Sequence, residues 1–423
     1  MRLGRRTSGL LAAAAIAAAL PLTTPSPAQA APPTESCNIE HQARIVFWAV
    51  ACAQPGEPVI GAFATWRNEP ITFTQTDSSG TTVQAGNYLT MTPNREGGLF
   101  SKYVQIGLYA EKTSATTSTY GPRWTELGDN GGKTKAINQG VGGNTPDRTN
   151  HTYMLLRQDT GDQWDVLYDF NHVGTTTDQL PVPRGSANRI DIGLEVMGPQ
   201  HVNVPPITSR VQYMAENKTW YRADTEDVAQ VSSLGTCGQG SYTAPYCFTT
   251  QLTGGTQFEQ WRASKPGPSG TAQATNRTAP AAAQNLTGEQ TDVVNGVNQD
   301  QLAKCMATAP ERCLETVPGL AACIRTAKVC NTAALPGKPA ANQSPPRFET
   351  SPADLRSRAA ATFDVPARTV KITAAAHTTA RWEVSSTAPT PGLDPRGRTF
   401  DGFEAAYSPT GQLQDACWGQ MCR

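Results

Sequence analysis

The sequence is short of charge and of long apolar runs. Only 17% of its residues are charged, 35 basic residues balance 35 acidic ones, and no run of like charges occurs along the chain. A nucleic-acid partner requires a basic patch or stripe, so none is expected here. Beyond the first 30 residues no segment approaches the roughly 20 apolar residues that a membrane-spanning helix needs. The mature chain is therefore predicted to have no membrane partner.

The motifs of several enzyme classes are missing as well. The sequence has no serine in a GxSxG elbow, and its five histidines are scattered singly without the spacing of a metal site. Every cysteine can be paired with another, which disfavours a thiol nucleophile. These gaps disfavour serine, thiol and metal-dependent chemistry, and no cofactor is implied.

The first 30 residues have the three parts of a cleaved signal peptide. A basic start with Arg2, Arg5 and Arg6 precedes an Ala/Leu-rich apolar run, and the small residues AQA end at Ala30. The Arg5-Arg6 pair also permits a twin-arginine route, but the residues after it favour the general secretory one. The chain is thus predicted to be secreted and to act outside the cell.

The ten cysteines, an even number in an exported chain, predict five disulfides. Three local couples are expected to pair, namely Cys37–Cys52, Cys237–Cys247 and Cys417–Cys422. A separate cluster consists of Cys305, Cys313, Cys323 and Cys330. Its seven, nine and six intervening residues do not match the short spacings of a zinc knuckle, so disulfides are preferred to a zinc site.

Composition divides the mature chain into four parts. Residues 31–264 contain many short segments in which apolar residues alternate with polar or small ones, which predicts the antiparallel strands of one large β-sandwich. Residues 265–297 are rich in Pro, Ala, Thr and Gly and are predicted to be a flexible linker. Residues 298–335 predict a helical hairpin. Residues 336–423 form a small C-terminal segment of unassigned fold, with one predicted strand, TVKITAAAHTTARWEV.

The predicted hairpin suggests a disulfide pattern. Its two short helices are broken at Pro318-Gly319, and folding back about that break places Cys305 opposite Cys330 and Cys313 opposite Cys323. A nested pair of disulfides is therefore expected, and a hairpin this small needs such bonds for stability.

Alternation within YVQIGLYAE, RWTEL and RIDIGLEV separates polar residues from apolar ones. If these strands are neighbours in one sheet, its open face carries polar side chains around Gly107 and Gly193, which leave room for a substrate. The set is Gln105, Tyr109, Trp124, Glu126, Asp191 and Glu195. Carboxylates beside a neutral donor suit hydrolysis, and aromatic rings beside polar groups suit glycan binding. A solvated polar face without function is the third interpretation.

The segments QIGLY, RWTEL and IDIGLEV resemble the skeleton of the concanavalin-like β-sandwich peptidases of the glutamic class, of both the eqolisin and the neprosin type. The resemblance spans residues 61–231 and lies in pattern more than in identity. It implies a concanavalin-like fold, with Gln105 stabilising the oxyanion and Glu195 or Asp191 acting as general base in acid. Where those families have Glu at the first acidic position, this chain has Asp191, and Ile192 replaces the aromatic residue that commonly follows.

Other functions fit the same residues. Tyr109, Trp124 and Glu126 would bind the substrate of a peptidase, whereas in a glycan or cell-wall binding module the rings of Tyr109 and Trp124 would be stacking platforms, with Trp164. A structural protein would instead dock a partner through the helical hairpin. The expected partner is an extracellular polypeptide or polysaccharide.

Two further sites are disfavoured by spacing and turn chemistry. A retaining glycosidase needs carboxylates about 5 Å apart, whereas Asp191 and Glu195, four residues apart on a strand, would be roughly 13 Å apart. The tract WDVLYDFNHVGTT could hold calcium or a sugar in a loop, but its Asp, Asn and Gly residues favour a hairpin turn.

Overall fold

The computed structural model describes the chain in stretches between Thr34 and Cys422. The described residues are 34–35, 47–53, 58–74, 83–94, 102–112, 118–137, 146–182, 188–198, 201–223, 228–232, 248–253, 257–262, 292–335, 348–375, 380–391 and 398–422. The predicted signal peptide, most of the predicted linker, and Cys37, Cys237 and Cys247 lie outside these residues.

Short strands dominate up to residue 262, as the alternating pattern predicts. They are β1 Thr34–Glu35, β2 Phe47–Ala53, β3 Val59–Arg67, β4 Thr72–Phe73, β5 Val83–Thr92, β6 Tyr103–Lys112, β7 Ser118–Gly128, β8 Gly131–Ala136, β9 Asn150–Arg157, β10 Trp164–Tyr168, β11 Asn171–Thr175, β12 Arg189–Met197, β13 Val202–Asn203, β14 Ile207–Ala215, β15 Trp220–Arg222, β16 Val228–Ser232, β17 Phe248–Thr253 and β18 Gln257–Arg262.

The rest of the described chain is mixed. Its strands are β19 Val293–Val294, β20 Val297–Asn298, β21 Lys371–Ala375, β22 Arg381–Thr390, β23 Phe400–Tyr407 and β24 Leu413–Gly419. Its α-helices are α1 Gln299–Thr308, α2 Cys313–Thr316, α3 Leu320–Thr326 and α4 Pro352–Phe363. No helix in these stretches is long and apolar enough to cross a membrane.

Two antiparallel sheets form a β-sandwich. The first sheet has the order β1-β2-β12-β5-β6-β7-β8-β24-β23-β22-β21, with β16 paired to β2. The second has the order β11-β10-β9-β3-β14-β18-β17, with β15 paired to β14. The predicted fold class, mainly β with an antiparallel sandwich and a small disulfide-bonded helical region, is confirmed.

The core lies between the sheets. Val104, Ile106 and Leu108 of β6 are fully buried and share one cluster with Tyr153 and Leu155 of β9. Burying each such aliphatic side chain contributes about 1.5–3 kcal/mol, which fixes which face of a strand points inward. We call the opposite side of the first sheet its outer face.

The helical region, residues 299–331, differs from the predicted hairpin. The chain reverses twice, at Ala309–Arg312 and at Val317–Gly319, so it forms three short helices. Each reversal brings neighbouring cysteines together, and the disulfides are Cys305–Cys313 and Cys323–Cys330. The predicted nested pairing was wrong because it assumed a single reversal. All cysteines of this region are disulfide-bonded, which agrees with the preference for disulfides over zinc.

This helical region covers the outside of the second sheet. Leu302, Leu320 and Ile324 pack with Phe63 and Met214 in one apolar cluster. Residues 293–298, at the junction with the predicted linker, form the β19–β20 hairpin, and Asn298 caps α1 by accepting a hydrogen bond from the Gln301 backbone N–H (2.9 Å).

The β10–β11 hairpin holds the helical region in place. Its turn consists of Asp169 and Phe170, both at positive φ, which confirms the predicted turn in this tract. Just after it, the side chain of Asn171 accepts hydrogen bonds from the backbone N–H groups of Cys330 and Asn331 (2.9 Å each) and donates one to the Asn331 carbonyl (2.8 Å).

The C-terminal segment extends the first sheet. Strand β24 pairs with β8, and β23, β22 and β21 follow in antiparallel order. The tract predicted as one strand contains two, β21 and β22, which pair with each other. Helix α4 packs Leu355, Ala359 and Phe363 onto the outer face of this extension. The predicted disulfide Cys417–Cys422 is present.

Candidate functional site

The outer face of the first sheet carries four of the six predicted site residues. Gln105 and Tyr109 alternate with the core residues of β6, and Asp191 and Glu195 alternate with buried Ile192 and its apolar neighbours on β12. Strand β5 lies between β6 and β12 and pairs with both. The alternation pattern therefore predicted this shared face correctly.

Trp124 and Glu126 lie on the other side of the sheet. Strand β7 pairs so that Trp124 is opposite Ile106 and Glu126 opposite Val104, which are core residues. Trp124 is buried in the sandwich core, and so is Trp164. The prediction that Trp124 and Glu126 line the polar face was wrong, because the pairing register of β7, and not its own sequence pattern, decides which side faces inward. Trp164, named as a stacking ring in the glycan-binding alternative, is buried and cannot stack on a sugar.

Glu126 has a structural role instead. Its carboxylate is fully buried and accepts hydrogen bonds from the Thr177 backbone N–H (3.0 Å) and the Gln179 side-chain amide (2.9 Å). Lys133 Nζ lies 3.3 Å away as its ion-pair partner. These contacts tie residues 176–180 to the sheet and leave Glu126 unavailable for substrate.

Asp191, Thr90 and Gln105 form one row across three strands. In the register of the sheet Asp191 is directly opposite Thr90, and Thr90 is directly opposite Gln105. All three side chains are buried. Strands in a sheet are about 4.8 Å apart, so Asp191 and Gln105 are separated by roughly 10 Å at the backbone, with Thr90 between them on the same face.

Two oxygen atoms in this row, Oγ1 of Thr90 and Oε1 of Gln105, have no hydrogen-bond partner among the described residues, whereas Oδ1 of Asp191 lies 3.0 Å from Nε of Arg189. Buried polar atoms in folded proteins are nearly always hydrogen-bonded, and exceptions mark a functional group or a bound polar molecule. A donor placed over Thr90 would satisfy them. The row is therefore the best-supported candidate for a reacting centre.

Arg189 holds Asp191 in place. Its Nε donates to Oδ2 of Asp191 (3.1 Å) and lies 3.0 Å from Oδ1, and both side chains are buried. Burial raises the pKa of the Asp191 carboxyl, and the positive charge of Arg189 offsets part of that rise. The carboxyl thus keeps more affinity for a proton than an exposed aspartate does.

Glu195 lies two rows away from Gln105. It is opposite Gly86, which is opposite Tyr109. Four residues along a strand span about 13 Å, so Glu195 and Gln105 cannot share one small molecule. Asp191 is therefore the acidic residue placed to work with Gln105.

The ring of Tyr88 fills the space next to Gly107 that was predicted to hold a substrate. A Cβ at Gly86 would lie 2.3 Å from the Tyr88 ring, and one at Gly107 would lie 2.6 Å from it. The prediction that Gly107 leaves room for a substrate was therefore wrong at this position. Beside it, Tyr109 donates a hydrogen bond from its hydroxyl to Gln84 Oε1 (2.7 Å). Burial raises the pKa of both tyrosines, which stay protonated.

A second polar cluster surrounds His151, which lies at the start of β9. Its Nδ1 is 2.7 Å from Asp169 Oδ2, and its Nε2 is 2.8 Å from Asp147 Oδ2 and 3.0 Å from Thr149 Oγ1. Burial lowers the pKa of the imidazole, but the two carboxylates outweigh it and raise the pKa to about 10. A general base must be neutral to take a proton from a hydroxyl group, and the imidazole of His151 is already protonated. The cluster therefore cannot activate Thr149 as a nucleophile, and we assign it a structural role. The described stretches contain no group of His, Cys, Asp and Glu suited to a metal ion.

Comparison with known proteins does not assign the chain to a family. No protein-family model and no curated protein sequence matches the chain. Similar solved structures include a Bacillus licheniformis β-glucanase (14% identity, 47% of this chain and 86% of that one, TM-score 0.23), sheep galectin-11 (8%, 38% and 98%, 0.19) and a pentraxin from Limulus polyphemus (7%, 48% and 95%, 0.20). The neighbours include carbohydrate-active proteins, and their low identity assigns no specific function to this chain. The glutamic-peptidase resemblance stays a prediction.

Sequence reasoning missed Thr90, Tyr88 and Arg189. Thr90 and Tyr88 lie on β5, and their place between the two predicted site strands depends on how the strands pair. Arg189 is two residues before Asp191 on the same face, and that spacing was a signal in the sequence for an ion pair on a strand.

Proposed function

We propose that this chain is a hydrolase of the glutamic-peptidase type, acting on extracellular polypeptides at the row Asp191–Thr90–Gln105. The observation that supports it best is a buried carboxyl and a buried amide in one row on either side of Thr90, where Oγ1 of Thr90 and Oε1 of Gln105 have no partner among the described residues. The disulfides of the described chain fit an oxidising, extracellular setting. Secretion is part of the proposal.

The chemistry follows from the positions of the side chains. The Asp191 carboxylate accepts a proton from a water over Thr90, and the water oxygen attacks the carbonyl carbon of the scissile peptide. The amide N–H of Gln105 donates to the oxyanion that forms. Asp191 then returns its proton to the leaving nitrogen. Arg189 orients the carboxylate and is a positioning residue.

Burial of Asp191 determines the pH range. A carboxyl whose pKa is raised still takes up and releases protons in mildly acid solution, where a substrate nitrogen can also be protonated. We expect activity to be highest in acid and to fall towards neutral pH.

A direct test is digestion of a complex peptide pool by the purified mature chain from acid to neutral pH, with cleavage sites read by mass spectrometry. Gln105→Ala should lower cleavage by roughly 100-fold, the usual effect of removing one oxyanion donor. Glu404→Gln, which changes an exposed carboxylate of the C-terminal extension, is the matched control. No cleavage by the wild-type chain at any pH would contradict the proposal.

Glycan binding is the second candidate, favoured by the tyrosines of the outer face. The Tyr88 ring lies over Gly86 and Gly107, next to Tyr109 and half-buried Glu195. Aromatic rings beside a carboxylate suit sugar recognition. Retention of the chain on a polysaccharide column, lost in Tyr109→Ala but kept in Gln105→Ala, would favour this function over hydrolysis.

A further inference from the structure

A small crevice with a volume of about 20 Å³ opens beside the outer face of the first sheet. One wall is the start of β7, from Thr119 to Arg123, and the other is the turn leading into β24, from Gln412 to Gln414. Tyr109 lies at its floor. Arg123 is the only charged side chain among the described residues that line it.

The position of Arg123 is set by the sheet. It is directly opposite Gly107, and its guanidinium lies over the ring of Tyr109, 3.8 Å from the ring centre. Gln105 is opposite Thr125, two residues further along β7, so Arg123 is about 7 Å from the Gln105 row along the strand.

Arg123 forms no ion pair with the described part of the chain. It is half-buried, and no carboxylate of the described residues lies within ion-pair distance of it. The acidic group that faces it is Glu111 on β6; burial raises the pKa of that carboxyl, and the positive charge of Arg123 offsets part of the rise. A half-buried guanidinium without a close anion, at the wall of an open crevice, is suited to bind a carboxylate in a bidentate way.

We infer that Arg123 binds a carboxylate of the substrate, so that the proposed peptidase prefers acidic polypeptides. The carboxylate comes from a Glu or Asp side chain or from the terminus of the chain. Arg123 is then a specificity residue, placed beside the reacting row. This inference rests on the proposed function, and it is tested by binding as well as by cleavage.

The test uses three dye-labelled hexapeptides with one core sequence, ending in Glu-amide, in Gln with a free carboxylate, or in Gln-amide. Binding to the full mature chain is measured by fluorescence anisotropy at about pH 6, where carboxylates are ionised. One or both acidic peptides should bind at least about 10-fold more tightly than the neutral one, as expected for a charge-assisted hydrogen bond. The peptide that shows the advantage identifies the source of the carboxylate.

Variants assign the effect to Arg123. Arg123→Gln should abolish the advantage of the acidic peptides, and Arg123→Lys should keep part of it. Arg381→Gln removes one positive charge from an exposed position on β22 and should change nothing, which controls for long-range charge. Thermal melting of each variant checks that the fold is intact.

The outcomes separate the two claims. Equal binding of all three peptides by the wild-type chain, or an acidic preference that survives Arg123→Gln, would overturn the inference even if peptides are cleaved. Preferential binding that depends on Arg123, together with no cleavage, would leave the carboxylate site standing and reject the hydrolytic function.

Discussion

Asp191 and Gln105 lie in the same row of the first sheet, separated only by Thr90 on the strand between them. This relationship decides which of the two predicted acidic residues belongs to the site. Glu195 is on the same face of the same strand, but it is opposite Gly86 and Tyr109, two rows further on. Any chemistry that needs a carboxyl and an amide together therefore depends on Asp191.

The buried ion pair predicts a large effect on stability. Arg189→Met leaves the Asp191 carboxylate buried without its partner and should lower the free energy of unfolding by about 3–5 kcal/mol near neutral pH. The double variant Arg189→Met, Asp191→Leu removes both charges and should recover most of the loss. Urea unfolding measures both, and a double variant as unstable as the single one would contradict this explanation.

The raised pKa of His151 is expected to make the free energy of unfolding fall in alkaline solution. Its folded pKa of about 10 exceeds the usual value near 6.5, so the folded state binds one more proton between these values. This contribution is fully present below about pH 6.5 and declines by up to about 1.4 kcal/mol per pH unit until pH passes about 10. His151→Gln should remove this slope from the unfolding free energy, and His172→Gln should not. The same slope in all three proteins would argue against a charged His151.

The disulfide pattern predicts a simple peptide map. Cleavage after Glu315 by a Glu-specific protease, under non-reducing and denaturing conditions, separates the chain between Cys313 and Cys323. With Cys305–Cys313 and Cys323–Cys330 as the pairs, two unconnected fragments result. A nested pairing would hold the fragments together until reductant is added, and mass spectrometry distinguishes the two cases.

The hydrogen bonds of Asn171 are expected to stabilise the helical region against local unfolding. Asn171→Ala removes three hydrogen bonds to residues 330 and 331 and should cost about 2–3 kcal/mol. Amide hydrogen exchange should then rise in α1 and α3 while the core strands stay protected. Asn171→Asp keeps the acceptor for both N–H groups and should give a smaller effect. Unchanged exchange in both variants would show that apolar packing alone holds the helical region.

Alternation in the sequence was sufficient where a strand has a clear apolar face. Strand β6 alternates Val104, Ile106 and Leu108 with polar residues, so its inward side could be predicted from the strand alone. In β7 the pattern is ambiguous, and its orientation depends on Trp124 pairing with Ile106 across the sheet. That pairing is a property of two strands together and is not encoded in either one.

Long-range pairing also explains what was missed beyond residue 298. Strand β24 joins the first sheet by pairing with β8, nearly three hundred residues earlier in the chain, and nothing local signals this contact. The disulfides were mispredicted for a related reason. The four cysteines are nearly symmetric about Pro318-Gly319, and the spacing alone does not reveal the additional reversal after Ala309.

The most direct test of the central claim is the rate of cleavage of one acidic peptide, in acid, by the wild-type chain, Asp191→Asn and Glu195→Gln. The proposed function predicts that Asp191→Asn loses at least about 100-fold in kcat/KM, since it removes the proposed general base, while Glu195→Gln keeps most of the activity. Full activity in Asp191→Asn, or loss of activity only in Glu195→Gln, would contradict the assignment of the Asp191–Thr90–Gln105 row as the reacting centre.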